Sequence, residues 1–271
     1  MKFKDKLNSM SKENNSLLCI GLDTNIDEIA PFLLRKKDDP VFEFNKQVID
    51  ATKDLVVAYK PNLAFYEAMG PEGLKSLMRT IEYIPTSIPI IGDAKRGDIG
   101  NTARAYARAV FDVFGFDAVT VNPYMGLDSV KPFLNYEDKG VFVLCRTSNP
   151  SASEFQNIGT KPLYQIVAEH AVKWNVHENC GLVVGATWPD EIKKIRTIMG
   201  EDMLMLIPGI GAQSGDLEKA VRFGTNSSGD MAIISSSRSI IYAGKGKDFD
   251  RKARDAAISL RDKINQFRYE S

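Results

Sequence analysis

The stretch Ile88-Pro-Ile-Ile-Gly-Asp-Ala-Lys-Arg-Gly-Asp-Ile-Gly-Asn-Thr102 decides how the chain is read. Its apolar start, Ile88 to Ile91, has the character of a buried strand. Alternate side chains of a strand share a face, so Asp93 and Lys95 are expected to point the same way where that strand ends. Gly97 and Gly100 break the strand. Asp98 then falls near the N-terminus of a helix expected over about 99–114, with Thr102 four residues on, on the same helical face. Charges of alternating sign at one strand end are costly to desolvate unless they pair or serve chemistry. Three charges at this spacing also suit a plain structural ion network, so the rest of the chain has to decide.

Outward from this stretch, short β-rich apolar runs alternate with longer amphipathic stretches eight times. The strands are expected to end near Asp23, Lys60, Asp93, Asn122, Arg146, Gly185, Pro208 and Ser237, markers 23 to 39 residues apart. That interval is the size of a strand plus a crossover helix, and eight such units make an α/β fold, a (β/α)8 TIM barrel, with residues 1–271 as a single domain. A doubly wound open sheet is the alternative topology. Thr187 with Asp190 reads as a capping box, and Pro162 and Pro189 suit the first turn of a helix.

The 271 residues are 44% hydrophobic, enough for a sizeable core. The 35 basic and 35 acidic residues cancel, which removes any global field favouring nucleic acid or an anionic membrane. An anionic ligand has to be caught locally. Cys19, Cys145 and Cys180 lie in or beside apolar runs without metal-type spacing, as buried thiols in a reducing compartment do. The N-terminus lacks the apolar region of a signal peptide and no run is long enough to span a bilayer, so a cytoplasmic location is expected.

In a barrel of this kind, active-site residues belong at the carboxyl ends of the strands. Those ends are polar here. Strand one leads to Asp23, strand two to Lys60-Pro61-Asn62, strand three to Asp93 and Lys95, and strand five to Arg146, Thr147 and Ser148. A charge after an apolar run commonly marks only where the chain reaches water; four of them at one barrel mouth point to a site. Strand seven runs into Pro208-Gly209-Ile210-Gly211-Ala212-Gln213-Ser214-Gly215, and strand eight into Ser237 and Arg238. The loops after strands seven and eight are the usual phosphate site of this fold. Glycines let backbone amides approach phosphate oxygens, Gln213 can donate hydrogen bonds, and Arg238 offers a permanently charged fork. His170 and His177, the only histidines, fall around a helix between strands five and six and read as surface or packing residues. Trp174, at helical spacings from Tyr164 and Val167, reads as core. Residues 245–261 read as the solvated face of a final helix.

Taken in order, Gly-Leu-Asp at 21–23, Lys-Pro-Asn at 60–62, Asp-Ala-Lys-Arg-Gly-Asp-Ile-Gly-Asn-Thr at 93–102, Arg-Thr-Ser-Asn-Pro at 146–150, Pro-Gly-Ile-Gly-Ala-Gln at 208–213 and Arg238 resemble the orotidine 5'-phosphate decarboxylase family, in its longer bacterial form. The resemblance covers nearly the whole chain. It implies formation of UMP at the end of pyrimidine synthesis, with Lys60, Asp93, Lys95 and Asp98 as a charged catalytic tetrad. It further implies a homodimer in which Asp98, with Ile99 and Thr102, reaches the neighbouring site. Asp23 and Asn62 match positions near the ribose, and Ser148 the hydroxyl that reads the pyrimidine amide. Pro208, Gly211, Gln213, Ser237 and Arg238 match the phosphate end, and 209–215 the lid over the nucleotide. No role follows for the extra length before strand two or for the 148–160 loop.

The chemistry gives these residue types a reason. Loss of carbon dioxide from C6 of orotate leaves electrons in the ring plane, where the π system cannot absorb them. A fixed ammonium beside C6, here Lys95, can stabilise that charge and then supply the replacing proton. This scheme requires neither metal nor organic cofactor. A second reading is a magnesium-dependent sugar-phosphate enzyme of the same barrel group, such as a hexulose-phosphate synthase or a ketogulonate-phosphate decarboxylase. Lys60-Pro61-Asn62 and the 146–150 loop favour the orotidine reading. A third is a non-catalytic phosphometabolite-binding barrel, which would not need an ammonium held between carboxylates.

Overall fold

The computed structural model describes residues 1–35, 38–210 and 216–269. Eight parallel strands alternate with helices: β1 (Leu18–Gly21), β2 (Ala58–Lys60), β3 (Ile91–Arg96), β4 (Ala118–Val121), β5 (Gly140–Arg146), β6 (Cys180–Val184), β7 (Met205–Pro208) and β8 (Ala232–Ser236). Their order is β2-β1-β8-β7-β6-β5-β4-β3. Single bridges from Tyr59 to Ile90 and from Asn62 to Asp93 join the two ends, so the eight-unit alternation closes into the expected TIM barrel. Parallel strands covered on both faces have to be apolar nearly throughout. β4, β6 and β8 are accordingly buried at every position.

Local departures from the sequence reading have local causes. Pro89 has no N–H to give a ladder, so β3 begins only at Ile91 and continues through Asp93 and Lys95, with a register shift between Gly92 and Arg96. The helix expected over 99–114 is α-helical over Gly100–Arg108 and widens to a π-turn at Ala109–Val113. The Thr187–Asp190 capping box does not form. The helix Pro189–Met199 starts one residue later than the box requires, with Trp188 as its N-cap and no side-chain cap, and the Thr187 hydroxyl donates to the Ser148 carbonyl at 3.4 Å. The final helix runs over Phe249–Tyr269 and buries Phe249, Ala253, Ala257 and Ile264. Tyr164 is buried and Val167 and Trp174 pack against the core.

The extra length before β2 forms the helix Pro40–Thr52, opened by Asp39, whose side chain accepts from the Phe42 amide. Asn45 on it is fully buried. Its Oδ1 accepts from the Thr24 hydroxyl at 2.5 Å, and its Nδ2 donates to Tyr66 Oη and Thr80 Oγ1, each at 3.0 Å. Tyr66 in turn donates to the Leu22 carbonyl at 2.8 Å. A satisfied buried network of this kind fixes one arrangement, and this one fixes the end of β1 on both sides of Asp23.

Candidate active site

Lys60 ends β2 with only 4% of its surface exposed, which no lysine tolerates without a counter-charge. Its Nζ donates to Asp93 Oδ2 at 2.9 Å, and Lys95 Nζ donates to the other oxygen, Oδ1, at 2.6 Å. One carboxylate is therefore clamped between two ammoniums. The Lys60 side chain is enclosed, whereas that of Lys95 is half exposed to the cleft. Burial alone would raise the Asp93 carboxyl and lower the Lys60 ammonium. The opposite charges win in both: Lys60 and Lys95 hold Asp93 well below the usual carboxylate range, and Asp93 with Asp23 pushes Lys60 above the usual lysine range. Lys95 also carries a left-handed φ of +47°, a conformation that costs a side-chain-bearing residue about 1–2 kcal/mol.

Asp23, Lys60, Asp93, Ser148, Pro208, Ser237 and Arg238 line one cleft. A contiguous lobe, sharing Lys60, Asp93, Ser148 and Pro208, adds Lys95, Thr120, Thr147 and Asn149. Asp23 Oδ1 is buried without a hydrogen-bond partner among the described residues, an acceptor ready for a ligand hydroxyl. Ser237 lies so close to β1 that a Cβ on Gly21 would sit 1.9 Å from its hydroxyl oxygen. Arg238 is exposed and pairs with no carboxylate among the described residues.

The structure does not bring all the expected residues together. Asn62 lines neither lobe; its side chain accepts from the Ala64 amide and caps the helix Leu63–Glu67, while its backbone pairs with Asp93. Among the described residues Asp98 makes no ion pair with a lysine: its Oδ1 accepts from the Ile99 amide at 2.8 Å. Ile99 and Thr102 are exposed outside the cleft. Gly211 and Gln213, with the rest of 211–215, lie outside the described residues.

Other contributors carried little signal in the sequence. The Thr120 hydroxyl donates to Asp93 Oδ1 at 3.0 Å and accepts from the amides of Ala94 and Lys95; a lone polar residue inside the buried β4 was the only hint. In the 148–160 loop, the helix Ser153–Gln156 brings Gln156 back to Thr147. Its Oε1 accepts from the Thr147 amide at 2.9 Å and its Nε2 donates to the Thr147 hydroxyl at 2.8 Å. Trp188 Nε1 donates to the Thr147 carbonyl at 2.8 Å, and the buried Arg146 guanidinium stacks on the Trp188 ring at 3.9 Å. Gly185 completes this support, since a Cβ there would lie 2.8 Å from the Ser148 backbone. The loop thus sets the backbone that presents Ser148. Both histidines lie apart from the cleft, His170 against Trp174 and His177 near Glu137.

A clamped ammonium at one side of a cleft and an exposed guanidinium at the other suit an elongated anionic ligand. The model of the orotidine 5'-phosphate decarboxylase / HUMPS family matches residues 16–249. Orotidine 5'-phosphate decarboxylase of Dehalococcoides mccartyi is 49% identical over 99% of both chains, and that of Cellvibrio japonicus is 50% identical over 98% of both. Among solved structures, Leishmania donovani OMP decarboxylase superposes with a TM-score of 0.86 at 39% identity over 100% of both chains. Leishmania donovani UMP synthase gives 0.88 at 40% identity, with all of this chain covering 57% of that one. With half-identical relatives along nearly its whole length and the lysine–aspartate–lysine clamp in place, this chain belongs to the orotidine 5'-phosphate decarboxylase / HUMPS family.

Proposed function

We propose that this chain decarboxylates orotidine 5'-phosphate to UMP, the last step of de novo pyrimidine nucleotide synthesis. The observation that carries the reading is the Lys60–Asp93–Lys95 clamp in one cleft with Arg238. Arg238, Ser237, Pro208, Gly211 and Gln213 take the phosphate; Asp23 and Lys60 take ribose hydroxyls; Ser148 takes the pyrimidine amide. The orotate carboxylate then lies against Asp93 and C6 against Lys95. As carbon dioxide leaves, the Lys95 ammonium stabilises the in-plane electron pair and transfers a proton to C6, so that carboxylate is exchanged for hydrogen. Phosphate contacts far from C6 supply binding energy that holds the base in this position.

Asp98, the fourth member of the implied tetrad, does not line the cleft among the described residues of its own chain, and a second copy of the chain would bring its Asp98, Ile99 and Thr102 there. Supporting this homodimer, Ile99, Tyr106, Tyr124, Met125 and Leu127 are exposed large apolar residues on the segments around Asp98 and the next strand-end loop. The expectation for an isologous dimer is specific. Lys95→Ala and Asp98→Ala are each inactive alone, but after mixing and subunit exchange the heterodimer holds one intact site, and about a quarter of wild-type activity returns. No recovery would place Asp98 in its own chain's site, and activity of Asp98→Ala alone would place it outside catalysis. Three buried free thiols support a reducing, cytoplasmic location, and no described helix is long and apolar enough to cross a membrane.

The activity is tested by the ultraviolet absorbance of orotidine 5'-phosphate on adding purified protein, with and without excess chelator. Chelator-insensitive loss of the orotate band is the expected result; no change with folded protein would reject the assignment. At the other end of the cleft, Arg238→Ala removes a charge-assisted hydrogen-bonding group worth about 1.5–3 kcal/mol. It should raise KM by one to two orders of magnitude; an unchanged KM in steady-state assays would remove Arg238 from the phosphate site.

A further inference from the structure

We propose that Thr120 is a positioning residue for Lys95: its side-chain hydroxyl holds the bulge in β3 that turns the Lys95 ammonium onto Asp93. The register of β3 against β4 shows the need for such a device. Gly92 pairs with Val119 and Arg96 with Val121, so Asp93, Ala94 and Lys95 all stand opposite the single residue Thr120. A bulge of this kind leaves ladder groups unpaired and re-aims side chains. Here the amides of Ala94 and Lys95 both donate to Thr120 Oγ1, at 3.1 and 3.0 Å, and the hydroxyl proton goes to Asp93 Oδ1 at 3.0 Å. That is the carboxylate oxygen on which Lys95 Nζ sits.

One buried hydroxyl therefore fixes three things together. It satisfies the two amides of the bulge, holds Lys95 at its left-handed φ of +47°, and fixes the rotation of the Asp93 carboxylate. Thr120 is 2% exposed and lines the cleft beside Lys95. A hydroxyl is the small side-chain group that can accept from two amides and donate to a carboxylate at once. Valine has the same shape and can do neither, and serine keeps the oxygen. Misplacing a reacting group by a fraction of an ångström lowers rate with little effect on binding, so the signature belongs in kcat.

The inference rests on the reading of Lys95 as proton donor, and the experiment separates the two. Thr120→Val and Thr120→Ser are compared with the intact chain in kcat, KM for orotidine 5'-phosphate, affinity for UMP and unfolding midpoint. In parallel, 13C-lysine NMR follows the Lys95 signal, identified by its loss in Lys95→Ala. Thr120→Val should lower kcat at least about 30-fold, leave KM and UMP affinity within about threefold and displace the Lys95 signal; Thr120→Ser should restore kcat to within about fivefold and return the signal. A kcat for Thr120→Val within threefold of the intact chain, a loss that serine does not restore, or an undisplaced Lys95 signal would each overturn the proposal. If Thr120→Val does not fold, Thr120→Cys carries the test, since a thiol is a weak acceptor: an unchanged kcat there overturns the proposal. Normal turnover of Lys95→Ala with a displaced signal in Thr120→Val would reject the proton-donor reading while leaving the positioning of Lys95 by Thr120 intact.

Discussion

Lys95→Ala should lose turnover by at least about 10⁴-fold while keeping UMP affinity within about tenfold. The size follows from two effects lost together. General acid catalysis commonly contributes 10²–10⁴-fold, and a fixed donor aimed at developing charge another 10²–10³-fold. Stability should be little affected, because the Lys95 side chain is half exposed, and Asp93 keeps its hydrogen bond to Lys60 and the hydroxyl of Thr120. Binding survives because the groups assigned to phosphate and ribose lie elsewhere in the cleft. The measurement pairs a high-enzyme absorbance assay with calorimetric titration of UMP. Turnover within tenfold of wild type would reject Lys95 as the proton donor, and loss of UMP binding would show that the lysine holds the ground state instead.

The barrel was legible because its signal is repetitive: eight apolar runs, six of them ended by a polar or charged residue and the other two by glycine or proline, give the strand count without any knowledge of packing. The charged cluster was legible for a related reason, since Lys60 and Asp93 fall on adjacent strand ends of a barrel whose strand order follows the chain. Hidden features depend on the third dimension. The bulge in β3 arises from register against β4, and periodicity within one strand does not report register. Thr187 and Asp190 have the spacing of a capping box, but the helix starts one residue later with Trp188 as its N-cap, and the Thr187 hydroxyl turns to the Ser148 carbonyl. Gln156 and Asn45 look like ordinary polar residues, and only folding shows that each closes a network behind a site residue. Asp98 is the complementary case: its spacing from Asp93 is visible in the sequence, yet among the described residues it takes the Ile99 amide and no lysine.

Asp93→Asn should destabilise the fold by about 3–5 kcal/mol, the cost of breaking a buried pair from one side, with the lower end favoured because Asp23 remains close enough to act on Lys60. The pH dependence identifies the cause. In the intact chain the Asp93 carboxyl is depressed, so its contribution is present above the unfolded carboxylate value of about 3.9 and is lost as pH falls through the folded value. Lys60 is raised, so its contribution is present below about 10.4 and is lost as pH rises through its folded value. Between those limits Asp93 and Lys60 are both charged. Removing the carboxylate reverses the second sign: a lysine with 4% exposure and a weakened counter-charge favours the neutral form, and its folded value drops below that of the unfolded chain. The unfolded state then binds more protons, so the variant gains stability as pH rises. Urea unfolding at about pH 6, 7.5 and 9 should therefore show the gap between intact chain and variant narrowing, by up to about 1.4 kcal/mol for each unit that pH exceeds the variant's Lys60 value. A gap that stays constant would mean that Lys60 keeps its charge by another route, and no gap at pH 6 would mean that the clamp contributes chemistry without holding the barrel mouth together.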